Sequence, residues 1–375
     1  MIGTHCLPDV PDANVLGAAI MMRSLHFNCR ELSFAAPRRN RCPTLNPQCE
    51  DVMILITGAS GFVGRHMVPA LKKHFPTEAV RILTRTKPAP DVATDAQIFI
   101  GALEQLPAAV VEGVDVLIHL AAKVQPDSRD IQEMRRVNVE GTRKLYAASV
   151  ASGCKLFLHV SSGGVYGPAR TSDAFNEKDL CTPVTPYQVT KWEAEKALNQ
   201  IDPQQTVLNI IRPGGIYGAG SYLEIPAYRK VLVQKWSVEP AGDVVVHPTH
   251  VSDVVEAIIA LVKQPASHGT VFNVGGERPM RVNDLHALVA ETLGIRRKRF
   301  TLPTSIAGPT GAAAGALFKV LGRPKPLLAP MCRGRVLSVA LEDSHFRRLY
   351  PTVPVVKLIN GLREHIDWAR TQQLL

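Results

Sequence analysis

An α/β fold built on a doubly wound parallel sheet is predicted for this chain, on three observations. Short apolar runs recur with helix-length segments between them, the pattern of parallel strands joined by crossover helices. The first run opens directly onto a turn carrying Gly58, Gly61 and Gly64, followed by a helical stretch. The polar residues able to do chemistry fall at the carboxyl ends of the runs, where right-handed crossovers leave a ligand crevice.

Residues 53–64 read MILITGASGFVG. Ile54, Leu55 and Ile56 are apolar in succession, as in a strand buried on both faces. Strand, glycine turn and helix, in that order, give G-x-x-G-x-x-G spacing its meaning as a dinucleotide cradle. Gly58 makes the tight turn, Gly61 lets the backbone approach a pyrophosphate, and Gly64 lets the helix pack against the strand. Ser60, Phe62 and Val63 complete the turn, and the free N–H groups of the first helical turn face the phosphates. An ordinary glycine loop is the alternative reading of such spacing taken alone.

The second strand, 80–84 (VRILT), ends in Thr84, Arg85 and Thr86, with no acid before Asp91. An acid at that end would bind the ribose 2′-hydroxyl of NAD, whereas an arginine accommodates the 2′-phosphate of NADP. Arg85 therefore favours NADP, with NAD as the alternative and a solvated arginine as the plain one. A third strand is expected at 97–100 and a fourth at 115–120 (DVLIHL). Leu120, Ala121, Ala122 and Lys123 follow, and small residues there let a cofactor lie against the backbone. A helix is expected over 131–151, carrying Asn138. The fifth strand, 155–161, runs into Ser161 and Ser162; a sixth is expected at 206–211, before Arg212, and a seventh at 270–274.

Residues 186–191, PYQVTK, carry the acid–base chemistry. Thr185 can cap a helix and Pro186 suits its first position. Tyr187 and Lys191 then share one face. A phenol titrates near 10, and both a neighbouring ammonium and a helix N-terminus favour its ionised form. Ser162 can hydrogen-bond the same substrate oxygen. A lone Y-x-x-x-K on an exposed helix would mean nothing; here it follows a strand that ends in serines.

With these motifs in place, the sequence resembles the extended short-chain dehydrogenase/reductases, the NAD-dependent epimerase/dehydratase group. The resemblance runs from about Met53 to Gly276 and more loosely to the C-terminus. It rests on TGASGFVG (57–64), HLAA (119–122), NVEGT (138–142), SSGGVYG (161–167), YQVTK (187–191), RPGGIYG (212–218), HPTHVSDVVEA (247–257) and NVGG (273–276). It implies a Rossmann-type core with a smaller C-terminal substrate lobe. Tyr187 is then the acid/base, Lys191 lowers its pKa and holds the nicotinamide ribose, and Ser162 holds the reacting oxygen. Ser162 is preferred to Ser161 because the family serine stands four residues before the tyrosine of V-Y-G, here Tyr166. Lys123 matches a basic position near the cofactor phosphates, and Asn138 lies in a cofactor motif. Pro213 to Ile216 would line the nicotinamide. Two departures are visible. Gly101-Ala102-Leu103 lacks the acid of the family's Gly-Asp-Leu, and V-D-D-V becomes Val251-Ser252-Asp253-Val254. His250 and Asp253 are expected to be structural. Sugar 4,6-dehydratases carry an Asp-Glu pair where this chain has Gly163 and Gly164, which disfavours dehydration.

The domains expected are an unstructured extension over 1–52, a dinucleotide-binding core over 53–220 with 247–276 returning to it, and a substrate lobe with its closing helix from 221–246 and 278–375. The closing helix is read at 358–369, with Leu358, Leu362, Ile366 and Ala369 on one face. Formal net charge is +10, and the excess lies in residues 296–375. Basic and aromatic residues do not alternate as in a nucleic-acid groove, so no nucleic-acid partner is expected. No run is apolar enough to span a bilayer, and membrane association is not expected. The seven cysteines show neither C-x-x-C nor zinc spacing, which implies free thiols, no metal and a cytoplasmic setting.

Three functions compete. The first is hydride transfer at a sugar carbon of a nucleotide sugar, as an epimerase or oxidoreductase. The second is an NADP-dependent ketone reductase, or hydroxysteroid dehydrogenase-like enzyme, acting on an apolar alcohol. The third is a non-catalytic nucleotide-binding scaffold, which would be marked by a broken tyrosine–lysine pair. A homodimer is the assembly left open.

Overall fold

Ile54 and Ile56 of the first strand enter one hydrophobic cluster and Leu55, between them, enters another, as period-two alternation requires of a strand buried on both sides. The computed structural model describes residues 52–87, 96–124, 130–168, 174–233, 236–241, 244–296, 298–303 and 339–375. The extension expected over 1–52 lies outside them except for Val52, as does 304–338 of the expected lobe.

The strands are β1 (Met53–Thr57), β2 (Ala79–Thr84), β3 (Gln97–Ile100), β4 (Val116–His119), β5 (Leu156–Val160), β6 (Val207–Pro213), β7 (Gly215–Tyr217), β8 (Trp236–Ala241), β9 (Val245–Val246), β10 (Pro248–His250), β11 (Thr270–Val274), β12 (Met280–Arg281) and β13 (Lys298–Pro303). The central sheet is seven-stranded, ordered β11-β6-β5-β4-β1-β2-β3, and every pair in it is parallel. All seven expected sheet strands are present. The order reverses between β1 and β4, which opens a crevice at their carboxyl ends.

Helix α1 (Phe62–His74) packs on one face of the sheet, while Ile131–Arg135 (α2), Thr142–Ala151 (α3) and Pro186–Leu198 (α4) belong to the other. The expected continuous helix over 131–151 is broken: Arg136–Gly141 forms a π-helical segment between α2 and α3. The widened turn accompanies a close approach, since a Cβ on Gly141 would come within 2.7 Å of the Leu103 side chain. Helices Ile225–Val233 (α5), Val251–Lys263 (α6), Val282–Thr292 (α7), Ser344–Leu349 (α8) and Leu358–Thr371 (α9) follow. The apolar side of α6 returns to the sheet beside α1, burying Val251, Val254, Ile258 and Val262.

A separate hydrophobic cluster gathers residues from the later elements. Tyr217, Ile225, Tyr228 and Val231 pack there with Val289 and with Leu358, Leu362, Ile366 and Ala369 of α9, the face expected to be buried. At its base His250 caps α6, its side chain accepting from Ser252 N, and Asp253 Oδ1 accepts from Val356 N at 2.9 Å. Both are structural there, as read from sequence.

Candidate active site

The glycine turn is shaped by its neighbours. Gly58 has φ +76°, and a Cβ there would lie 2.7 Å from Ala121 N; one on Gly64 would overlap the Gly58 carbonyl. Gly61 is exposed, and a Cβ on it would meet only Gly58 O, at 3.2 Å. Helix α1 starts at Phe62 with no side-chain cap, so its first N–H groups remain available to an anion. A cavity of about 210 Å³ lies beside this turn, walled by Gly58, Ser60, Gly61, Arg85, Leu120, Ala121, Ala122 and Lys123 among others. It joins the residues expected around the adenosine and pyrophosphate of a dinucleotide. Phe62 and Val63 stand half-buried at the start of α1, outside its walls, and Arg85 is exposed. Lys123 Nζ is ion-paired with Glu133.

Asn138 is nearly fully buried in the π-helical segment. Its Oδ1 accepts from Lys123 N at 2.7 Å, and its Nδ2 donates to Lys123 O at 3.2 Å and Thr190 Oγ1 at 3.1 Å. Its amide thereby ties the loop after β4 to α4.

The acid–base segment is held by a full capping box. Thr185 Oγ1 accepts from Gln188 N at 3.3 Å, Gln188 Oε1 accepts from Thr185 N at 3.1 Å, and Pro186 opens the helix. Tyr187 therefore lies in the first turn, with Lys191 one turn later. The phenol is half-buried, and burial pushes it up to about 12, against the expectation of a lowered pKa. The Lys191 ammonium, lowered to about 8 by burial against the opposing pull of Glu195, donates to Val160 O at 2.7 Å.

Ser161 and Ser162 differ in their surroundings. Ser161 is buried, with its hydroxyl donated to Glu195. Ser162 is half-buried, and its Oγ accepts from Gly164 N at 3.1 Å, which leaves its own proton to give. A Cβ on Gly163 would come within 3.0 Å of the Leu341 side chain, and one on Gly164 within 3.0 Å of Gln188 Cγ. Pro213 is buried at the end of β6, and Ile216 is half-buried in β7.

Sequence reasoning missed the network beneath these residues. Arg212 donates to Glu195 Oε2 at 2.6 Å and to Tyr166 Oη at 2.8 Å, and Tyr166 Oη donates to Asn273 Oδ1 at 2.9 Å. Glu195 and Arg212 side chains are 1% and 4% exposed, so this ion pair is enclosed by protein. It ties α4 to β6, β11 and the turn after β5. The available signal was Glu195 one turn after Lys191, with Arg212, Tyr166 and Asn273 each already inside a quoted motif.

A family model described as "NAD dependent epimerase/dehydratase family" matches residues 54–275. The chain belongs to this family. Its members include NAD-dependent epimerases, dehydratases and dehydrogenases. A Stigmatella aurantiaca protein, "4-hydroxy-2-methyl-3-oxo-4-farnesyl-3,4-dihydroquinoline-1-oxide ketoreductase", is 27% identical over 304 residues, 78% of this chain and 89% of the relative. An Escherichia coli O157:H7 protein, "N-acetyl-alpha-D-glucosaminyl-diphospho-ditrans,octacis-undecaprenol 4-epimerase", is 28% identical over 286 residues, 72% of this chain and 80% of the relative. The structure of UDP-glucuronic acid 4-epimerase from Bacillus cereus, holding UDP-glucuronic acid and NAD, shares the fold with a TM-score of 0.68 at 21% identity, over 86% of this chain and all of the other. Among the described residues, no helix is long and apolar enough to cross a membrane and no metal-binding cluster occurs.

Proposed function

We propose that this chain reduces the carbonyl of an apolar ketone, or oxidises the matching alcohol, with a nicotinamide dinucleotide. The observation that carries the substrate class is the lobe cavity. It holds about 200 Å³ and is walled by Tyr217, Ala227, Val231, Pro248, Val289 and Leu362, with Glu224 and His286 as its charged or titratable lining. β7, which leaves the carboxyl end of β6, supplies one wall with Gly215 and Tyr217. No cation lines the cavity among the described residues, whereas a diphosphate is typically held by charge-assisted bonds. Arg229 and Tyr222, in the same part of the chain, lie at the surface: Arg229 bonds Leu374 O at 2.6 Å and Tyr222 packs on Trp368. The S. aurantiaca relative, a ketoreductase of a farnesylated ring by its name, supports the same class.

Gly58, Gly61 and the start of α1 would hold the pyrophosphate, Ala121 and Ala122 the backbone side, and Lys191 the nicotinamide ribose. Arg85 on the cavity rim favours NADP, while the dinucleotide in the B. cereus structure is NAD. A nicotinamide, when bound, would supply or accept the hydride. Tyr187, protonated at neutral pH, gives a proton to the carbonyl oxygen in the reducing direction. Ser162 donates a hydrogen bond to the same oxygen. Gly163 and Gly164 carry no carboxylate where a dehydration would need one, so dehydration stays disfavoured.

The second reading is hydride transfer on a nucleotide sugar, favoured by the sugar substrate named for the B. cereus structure and by the E. coli relative. The test is single-turnover hydride transfer, read by nicotinamide absorbance, across apolar ketones and UDP- and dTDP-sugars. Apolar ketones should turn over. Tyr187→Phe should lower that rate by about 10²–10⁴-fold, and Ser162→Ala by about 10²–10³-fold. Turnover of a nucleotide sugar alone would replace this reading with the second, and wild-type rates in Tyr187→Phe would overturn both.

A further inference from the structure

Parallel register places three polar residues in a row. β1 sets Thr57 opposite His119, and β4 sets His119 opposite His159. Both histidines are fully buried and their rings stack, with centroids 5.4 Å apart. His119 has a partner for each nitrogen: Thr57 Oγ1 lies 2.7 Å from Nδ1, and Thr142 Oγ1 lies 2.8 Å from Nε2. His159 does not. Its Nε2 stands 3.4 Å from Lys191 Nζ, and its Nδ1 has no hydrogen-bond partner among the described residues.

That asymmetry is informative. A histidine kept only to fill the core would satisfy both nitrogens, as its neighbour does. An ammonium has three donors and no acceptor, so the nitrogen facing Lys191 must be the one with the lone pair. The proton is then forced onto Nδ1, where nothing receives it. Lys191 therefore selects the tautomer of His159, at the expense of one orphaned N–H.

We propose that His159 is a positioning residue for Lys191. Its Nε2 and the Val160 carbonyl take two of the three ammonium protons and direct the third toward the reacting centre. This rests on the reading of Lys191 as the partner of Tyr187 and the cofactor. Burial and the nearby Lys191 charge hold His159 well below its usual titration range, so it stays neutral and able to accept. The charged and titratable groups around Lys191 are Tyr187 and Glu195 on α4, the latter paired with Arg212, and His119 and His159 on the sheet. Loss of the imidazole acceptor destabilises the ammonium, so Lys191 deprotonates at lower pH.

The test uses the full chain. Nitrogen-15 NMR of labelled histidine reads the tautomer, and calorimetric titration with NAD from pH 6 to 10 reads the ammonium. At neutral pH the His159 proton should be on Nδ1. The alkaline midpoint for NAD affinity should fall by about one pH unit in His159→Leu, the scale of one lost hydrogen bond to a charged group. In His159→Gln, whose amide oxygen can reach the Nε2 position, the midpoint should return toward wild type. A proton on Nε2 overturns the proposal, as does a wild-type midpoint in His159→Leu or failure of His159→Gln to restore it. Absence of binding of both NAD and NADP by the wild-type chain overturns the functional reading instead, and the tautomer measurement separates the two failures.

Discussion

Glu195→Gln is the perturbation that the geometry makes most demanding. The carboxylate accepts from Arg212 Nε at 3.1 Å and from Nη2 at 2.6 Å, and it also takes the Ser161 hydroxyl. The substitution preserves shape but removes the charge. Arg212, whose pKa the carboxylate raises, would be left buried without a counter-charge, its side-chain acceptors reduced to one amide oxygen and Tyr166 Oη. Removing one partner of a buried pair costs about 3–5 kcal/mol. For a chain of this size that is a drop in melting temperature on the order of 5 °C. Glu195→Met with Arg212→Met removes both charges and leaves the Ser161 hydroxyl without its acceptor, a cost of about 1–3 kcal/mol. The double variant should therefore be more stable than the single one. Guanidinium denaturation followed by tryptophan fluorescence reads this locally, since Trp192 lies 5.6 Å from the Arg212 guanidinium. A single variant within 1 kcal/mol of wild type, or a double variant no better than the single, would refute the pairing argument.

Two further outcomes are expected. Arg85→Asp should turn cofactor preference from NADP toward NAD by about tenfold or more, the worth of roughly 1.4 kcal/mol at the 2′-position, as read by calorimetry with both dinucleotides. Asp253 has its pKa raised by burial to about 6 in the fold, with Oδ2 unpartnered among the described residues. Between its unfolded value near 4 and the folded value, the folded chain binds the extra proton, so stability falls as pH rises through that window. Asp253→Asn should flatten that fall, checked by denaturation midpoints at pH 4, 5, 6 and 7; an unchanged slope would place the titration elsewhere.

What was legible in the sequence was mostly local. The glycine turn, the Thr185 cap with Pro186, and the one-turn spacing of Tyr187 and Lys191 are fixed by residues within a turn of one another, so spacing alone located them. The Glu195–Arg212 pair and the His119–His159 stack join residues 17 and 40 positions apart through strand order and register, which periodicity does not encode. The rise of the Tyr187 phenol comes from its burial, which spacing does not encode either. The direction taken by Lys191 depends on a carbonyl and an imidazole supplied by β5. The π-helical interruption at Arg136–Gly141 lies close against Leu103, again a contact distant in sequence.

The lobe cavity is assembled from segments running from Gly215 to Leu362, and neither Tyr187 nor Lys191 is among its walls. On the proposed function, what is admitted and what is done to it are thus written in separate stretches of chain. A change at Val231 or Leu285 would remodel the chamber while the capped helix and its hydrogen bonds stayed as they are. Such a layout lets selectivity drift across ring systems and tail lengths without re-inventing the chemistry. It also means that variants chosen for altered substrate range should be sought in α5 and α7, far along the sequence from the residues that react.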